Sequence, residues 1–281
     1  MSIARGDNRA LQIAAYALAG TISLAFLYPY WWMLVSAFRA TKAIMAAPIR
    51  LWPETLDFSI FAEIAQIGGV PLWRYIANSF AITGLSTVLG VTITALGAYA
   101  LTRMPKLPGF ATLRTVFLVA IMYPYMLLVI PVYLVMYKLG LLGSYAGIIL
   151  FLALGPIQFF LFEQFFRKIP AEVIEAAIID GASEAQILFR VILPMAAPVT
   201  ATVALITFLL NWAQWFPIMV ISKTPDTYTL PVALLAMNTE LGANFQGIMA
   251  LAVITTLPVA VLFLLAQKRV MEGMAAGAVK G

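Results

Sequence analysis

The sequence predicts an all-α integral membrane protein of six transmembrane helices with both termini on the cytoplasmic side. Three observations carry that prediction. First, 63% of the 281 residues are hydrophobic and only 10% charged, with a mean hydropathy of +0.97, which cannot clothe a water-soluble globule. Second, six runs contain no charged residue: 10–38, 75–102, 115–137, 139–162, 191–222 and 241–267. Each exceeds the roughly 20 residues that a bilayer-crossing helix needs, and lipid leaves an open backbone no partner but itself. Third, Lys and Arg are unequally divided between the two sides. Arg5, Arg9, Arg103, Lys106, Arg114, Arg167, Lys168, Arg190, Lys268, Arg269 and Lys280 fall on one side, and six of the seventeen basic residues on the other. The richer side is the cytoplasmic one.

Taken in order, the spans are placed at 11–38, 76–101, 114–137, 145–166, 198–221 and 244–266. The first follows Arg5 and Arg9 as a secretory leader would, but it is too long for one and carries the interfacial cluster Tyr28, Tyr30, Trp31 and Trp32. Residues 39–74, with Pro48, Pro53, Pro71 and the Gly68-Gly69 pair, read as a small folded outer cap holding one or two short helices. Pro124, Pro131, Pro156 and Pro217 would kink or break their helices, either to flank a transport path or simply as bends.

The inner loop, 167–194, predicts two short helices. Pro170 suits the first helical position, and Glu172 and Glu175 favour the positive end of the dipole. Asp180 ends that helix, Gly181 takes the left-handed turn, and Ser183 with Gln186 forms a capping box that starts the second helix. On these grounds alone the element is an amphipathic connector between spans four and five.

Several classes of function are excluded. With no Cys and no His, the chain has no disulfide, no thiol chemistry, no imidazole metal site and no histidine-based triad or relay. No metal site, nucleophile or acid/base pair is expected at membrane depth. The net charge of +5 is scattered beside apolar runs, so nucleic acid is not a partner. An ion-coupled secondary transporter is kept as the less favoured alternative, since such a carrier usually places ionisable groups within its spans and the six runs hold none. No phosphate-cradling G-x-x-x-x-G-K-[ST] loop is present, so the chain does not bind ATP in that manner.

Glu175-Ala176-Ala177, then Gly181, then Val191-Ile192-Leu193-Pro194 is similar to the EAA motif of binding-protein-dependent ABC importer permeases, with Val191 in place of the usual isoleucine. Further stretches resemble the carbohydrate-type permeases of the maltose-transporter class. They are Met122-x-Pro124, Pro131-x-Tyr133 and Leu139-Gly140-Leu141; Phe165-Phe166-x-x-Ile169-Pro170; Thr229-Leu230-Pro231-Val232; and the tail Gly273 to Gly281, where Met274 and Ala275 replace leucine and threonine.

The resemblance implies a type I importer permease fold in a bacterial inner membrane, with 39–74 as a periplasmic cap and 167–194 as a coupling loop. Through Glu172, Glu175, Ala176, Ala177, Asp180, Gly181, Leu193 and Pro194 that loop would fit a cleft on an ATPase subunit. The tail, 267–281, would approach the same interface through Gly273, Gly277, Lys280 and Gly281. The implied partners are a second permease subunit, two ABC ATPases that carry the ATP and magnesium, a periplasmic or lipid-anchored solute-binding protein, and membrane lipid. A sugar or oligosaccharide is the implied cargo, with glycerol phosphate or another polyol derivative as the alternative.

Asn211, Gln214 and Trp215 lie where the family shows tryptophan then asparagine, though Ala213 stands for the asparagine. Read as sharing one helix face, they suit either a sugar path or interhelical hydrogen bonding. Asn78, Tyr123, Tyr125 and Gln158 are candidates for the same lining.

Overall fold

The computed structural model describes residues 9–104, 108–123, 125–240 and 244–278. It opens with α1 (Arg9–Ser36), which is exposed on every side from Leu11 to Trp31 and buries residues only near its end, at Val35 and Ser36. The cap that follows holds two short helices, α2 (Thr41–Ala46) and α3 (Ser59–Glu63). It also holds an antiparallel pair, β1 (Gln66–Ile67) and β2 (Val70–Pro71), so the chain is not wholly helical. Gly68 and Gly69, at φ 56° and 75°, supply the two left-handed residues a two-residue hairpin turn demands.

The central helix is α4 (Leu72–Arg103). Its buried face reads Ser79, Thr83, Ser86, Thr87, Gly90, Thr94, Ala95 and Ala98, small and hydroxylated side chains that let membrane helices approach closely, with Ile82 buried among them. At 1.5 Å per residue its 32 residues extend about 48 Å, longer than the hydrocarbon layer. One end meets the cap, where the Tyr75 hydroxyl donates to Ile67 O at 2.7 Å; the other meets the 167–194 loop.

Three of the predicted spans are broken. In place of one helix over 114–137 stand α5 (Phe110–Met122) and α6 (Tyr125–Lys138), with Tyr123 extended as a residue before proline must be. Pro124 lies outside the described residues. The 145–166 span is α7 (Tyr145–Ala153) and α8 (Pro156–Phe166), bent by 43° where Leu154 and Gly155 are extended and Pro156 opens the second piece.

The loop contains α9 (Ala171–Ile179) and α10 (Glu184–Gln186), continues through a π-helical stretch, Ile187–Ile192, and ends in α11 (Leu193–Met195). Pro194 accounts for the widened turn: its ring cannot sit over the carbonyl four residues back or donate to it. A 72° bend leads into α12 (Ala197–Trp212). The helix predicted over 198–221 stops there and resumes as α13 (Phe216–Ile221), with Pro217 in its first turn. A 3-10 turn at Pro225–Thr227 precedes α14 (Leu230–Glu240), a helix the hydropathy pattern did not single out. The last helix, α15 (Phe245–Ala278), runs twelve residues past the predicted end of its span at 266.

Among the described residues, three helices are long and apolar enough to cross a membrane, Leu11–Ser36, Leu72–Arg103 and Phe245–Gln267, and up to five do so if each bent pair counts as one span. A core at the cap end joins Ile60, Ile64, Ile67 and Tyr75 to Trp212, Leu230 and Leu251. Another at the loop end joins Ala95, Ala98 and Tyr99 to Phe159, Phe162, Phe166, Ile187, Leu188 and Ile192.

Candidate functional site

The 167–194 loop is built by local chemistry. Pro170 stands one position earlier than predicted, as the N-cap of α9. At the far end the Ala182 amide donates to Ala177 O at 3.0 Å and the Gly181 amide to Ile178 O at 3.0 Å, a Schellman closure that requires the observed φ of 77° at Gly181. The capping box is present: the Ser183 amide donates to Gln186 Oε1 at 2.8 Å, and the Gln186 amide to Ser183 Oγ at 3.4 Å.

These closures fix which way α9 faces. Ile174 and Ala177 pack onto the loop-end core, as does Leu193, whereas Glu172, Glu175, Ala176, Ile178, Ile179, Asp180 and Gly181 are exposed, and so is Pro194. Ala177 is therefore turned toward the chain's own core and does not share the outer surface with Ala176. Ile179 is 85% exposed beside three carboxylates, with no basic residue between Ala171 and Gly181. The exposed side of α9 is thus an acidic surface with an apolar centre.

A fastening the sequence reading missed holds the loop to α4. Glu184 Oε1 accepts from Arg103 Nη2 at 2.8 Å, and Glu184 Oε2 accepts from the Tyr99 hydroxyl at 3.1 Å. The Arg103 guanidinium holds the Glu184 carboxyl below the usual glutamate range, against an opposing effect of partial burial. Arg103 entered the sequence analysis only as a topology charge, and no local pattern pairs it with a residue 81 positions away. A second missed cluster is Glu163 on α8, 2% exposed, whose Oε1 accepts from Arg114 Nε on α5 at 2.7 Å and from Arg167 Nε and Nη2 at 3.0 and 2.8 Å. The span predicted at 145–166 thus ends on a buried carboxylate, but one neutralised by two arginines.

The path candidates separate into groups. Gln158, Asn211 and Gln214 line one cleft of about 160 Å³ at the α7–α8 break, together with Leu154, Thr207 and Leu210. α12 ends at Trp212, so Asn211 and Gln214 reach this cleft from a helix and from the link beyond it, not from one helix face. Asn211 Nδ2 also donates to Ser86 Oγ at 3.0 Å and Leu152 O at 3.2 Å, tying α12 to α4 and α7. Gln158 Oε1 and Thr207 Oγ1 are enclosed without a hydrogen-bond partner. Two glycines clear space around the Gln158 side chain: a Cβ on Gly155 would stand 2.9 Å from its Nε2, and one on Gly90 would overlap the Ala153 carbonyl oxygen. Thr207 was absent from the sequence candidates, although it stands one turn before Asn211 on the same helix.

Asn78 lies at the cap end, donating to Asp226 O at 2.8 Å and Tyr228 O at 2.9 Å and accepting from the Tyr145 hydroxyl at 2.9 Å. Tyr123 is exposed at the α5–α6 break, and the Tyr125 side chain lies outside the described residues. Trp215 caps α13 edge-on to Phe216. Of the tail candidates, Gly273 and Gly277 lie on the α15 backbone, while Lys280 and Gly281 lie outside the described residues.

Residues 87–275, from mid-α4 through the loop into α15, match the family model described as binding-protein-dependent transport system inner membrane component. The chain belongs to that family. This inner membrane component is 29% identical over 265 residues to the diacetylchitobiose uptake system permease protein DasC of Streptomyces coelicolor, covering 94% of the chain and 95% of the relative. It is 30% identical over 268 residues to the arabinooligosaccharides transport system permease protein AraQ of Halalkalibacterium halodurans, covering 93% and 95%. A crystal structure of a bacterial ABC transporter involved in the import of the acidic polysaccharide alginate contains a chain that superposes with a TM-score of 0.78 at 26% identity, covering 95% of this chain and 99% of that one. The inner membrane component is thus a permease subunit of an ABC importer. It is a non-catalytic, membrane-resident part that works with partner proteins, and its fold is the importer permease fold.

Proposed function

We propose that this permease carries a neutral oligosaccharide through a path it shares with a second permease subunit, driven by two ATPase subunits that hold the ATP and magnesium. Its spans are α1, α4, α5–α6, α7–α8, α12–α13 and α15, with both termini and the 167–194 loop in the cytoplasm, as the Lys and Arg distribution favours. A solute-binding protein delivers cargo at the cap side. The relatives named for diacetylchitobiose and arabinooligosaccharides support a sugar cargo, and the described walls of the Gln158 cleft carry amides, a hydroxyl and apolar groups but no charge.

The observation that carries the reading is the rigidly closed α9 with its exposed Glu172, Glu175, Ala176 and Ile179 face, a docking knob supported by the Schellman closure behind it. ATP-driven closure of the ATPase pair would displace this knob, and the helices behind it would switch the path between its two openings. The tail at the end of α15 would approach the same subunits.

The test uses the complete transporter in proteoliposomes. Glu175→Lys and Gly181→Trp are expected to abolish binding-protein-stimulated ATP hydrolysis while the permease still inserts. Gln158→Leu is expected to raise the KM for sugar uptake with hydrolysis still stimulated. Unchanged hydrolysis and uptake in the two loop variants would overturn the coupling role, and preferred uptake of a phosphorylated polyol would overturn the cargo.

A further inference from the structure

The contact between the end of α4 and the loop is small, polar and partly open to solvent. Arg103 is 24% exposed and Glu184 55%. An ion pair of that exposure contributes little to stability, so stability alone does not account for an arrangement in which both oxygens of one carboxylate are taken by two donors from one turn of a single helix. Tyr99 and Arg103 stand four residues apart and therefore project from the same face of α4. Tyr99 is largely buried and packs edge-on against Phe166, with ring centroids 6.1 Å apart, so α4, α8 and the second loop helix converge on its ring. The carboxylate they hold sits directly after Ser183, in the first turn of the helix that the capping box starts.

What lies at the other end of this contact gives it a role. α4 carries no proline across its 32 residues. Ser86 and Gly90 on that helix abut Asn211 and the Ala153–Gln158 break, which form the Gln158 cleft. From Arg103 to Ser86 is about 25 Å along the helix axis, and an unbroken helix conveys displacement over such a length with little loss. Among the described residues α9 touches the loop-end core through the apolar side chains of Ile174 and Ala177, contacts that can slide. Glu184 is the point where the loop grips α4 directionally. Arg103 Nε is buried without a partner, so the guanidinium keeps a donor in reserve for a carboxylate that shifts along it.

We propose that Tyr99, Arg103 and Glu184 form the linkage that converts movement of the coupling loop into movement of α4, and that all three are positioning residues of the transport cycle. The proposal rests on the coupling-loop reading above. Breaking the linkage uncouples the two motions: ATPase subunits still dock and hydrolyse, but less sugar crosses for each ATP consumed.

The experiment measures sugar molecules imported per ATP hydrolysed by the complete transporter in proteoliposomes. The variants are Tyr99→Phe, Glu184→Gln, Arg103→Gln, and the exchange Arg103→Glu with Glu184→Arg. Glu175→Lys on the docking face serves as the control that loses the ATPase subunits themselves. The expected result is a fall in the transport ratio of about fivefold or more for each charge variant and a smaller fall for Tyr99→Phe. ATPase subunits co-purify at wild-type stoichiometry, and the exchange recovers at least half of the ratio. A purely structural contact would lower the amount of complex and leave the ratio intact. Wild-type ratios in the single variants, or an exchange no better than either charge variant, overturn the linkage. If a charge variant does not assemble, Tyr99→Phe, which removes one hydroxyl, decides: an unchanged ratio overturns the proposal. Failure of Glu175→Lys to release the ATPase would instead overturn the docking reading.

Discussion

Removing Glu163 and removing its arginines are not equivalent perturbations, and the structure sets the difference. Glu163 is 2% exposed, whereas Arg114 and Arg167 are 43% and 56% exposed. In the double variant Arg114→Met/Arg167→Met the carboxylate stays behind without a counter-charge in a site that water cannot reach. Breaking a buried pair in that direction costs about 3–5 kcal/mol. In Glu163→Gln the guanidiniums are left, but each is open enough to hydrate, and the amide oxygen can still accept. The loss is then that of partly screened hydrogen bonds, about 1 kcal/mol. A triple variant, Arg114→Met/Arg167→Met/Glu163→Met, removes the stranded charge and is expected to regain most of what the double variant lost, since apolar replacement of a buried ion pair is often close to neutral. The assay is SDS titration of the permease in mixed micelles, read by the fluorescence of its six tryptophans. Glu163→Gln as damaging as the arginine double variant, or a triple variant no more stable than the double, would refute the reasoning that burial of the carboxylate dominates.

Three further outcomes follow from other sites. Gly90→Val drives a branched side chain into the Ala153 carbonyl and the Gln158 amide; it is expected to cost about 1–3 kcal/mol in the same titration and to slow sugar uptake, whereas Gly84→Ala, with open space around its Cβ, changes neither. Gly181→Val forces a β-branched residue to φ 77° with no steric contact to blame, so ATPase stimulation falls while Gly181→Asn, which tolerates the left-handed region, keeps most of it. Because Arg103 depresses the Glu184 carboxyl, the contribution of this group is fully present above the ordinary glutamate range and fades only as pH falls through the lowered value. Transport per ATP should therefore be flat between about pH 6 and pH 8 in the wild type, and a loss across that window that Glu184→Gln abolishes would contradict the assignment.

The sequence by itself determined whatever rests on local chemistry or bulk hydropathy. It gave the membrane class, the order of the apolar segments, the cap after α1, and the two-helix loop with Gly181 at its turn and Ser183–Gln186 at its restart. Each of these is decided by residues within a few positions of one another. The resemblance carried by Glu175 to Pro194 was legible for the same reason, being one continuous stretch. Tertiary structure alone decided where the spans break, which side chains meet across them, and which way α9 faces. Hydropathy averages over all sides of a helix, so it did not say which neighbour the hydroxylated stripe of α4, or the amides of α8 and α12, would meet. Arg103 with Glu184, Arg114 with Glu163 and Asn211 with Ser86 pair over 81, 49 and 125 residues, fixed by packing of Gly90 and the loop-end core and not by any spacing in the chain. Ala177 belongs to the same lesson: its place in the motif was plain, but only the core beneath α9 turned it inward, leaving Glu175, Ala176 and Ile179 exposed.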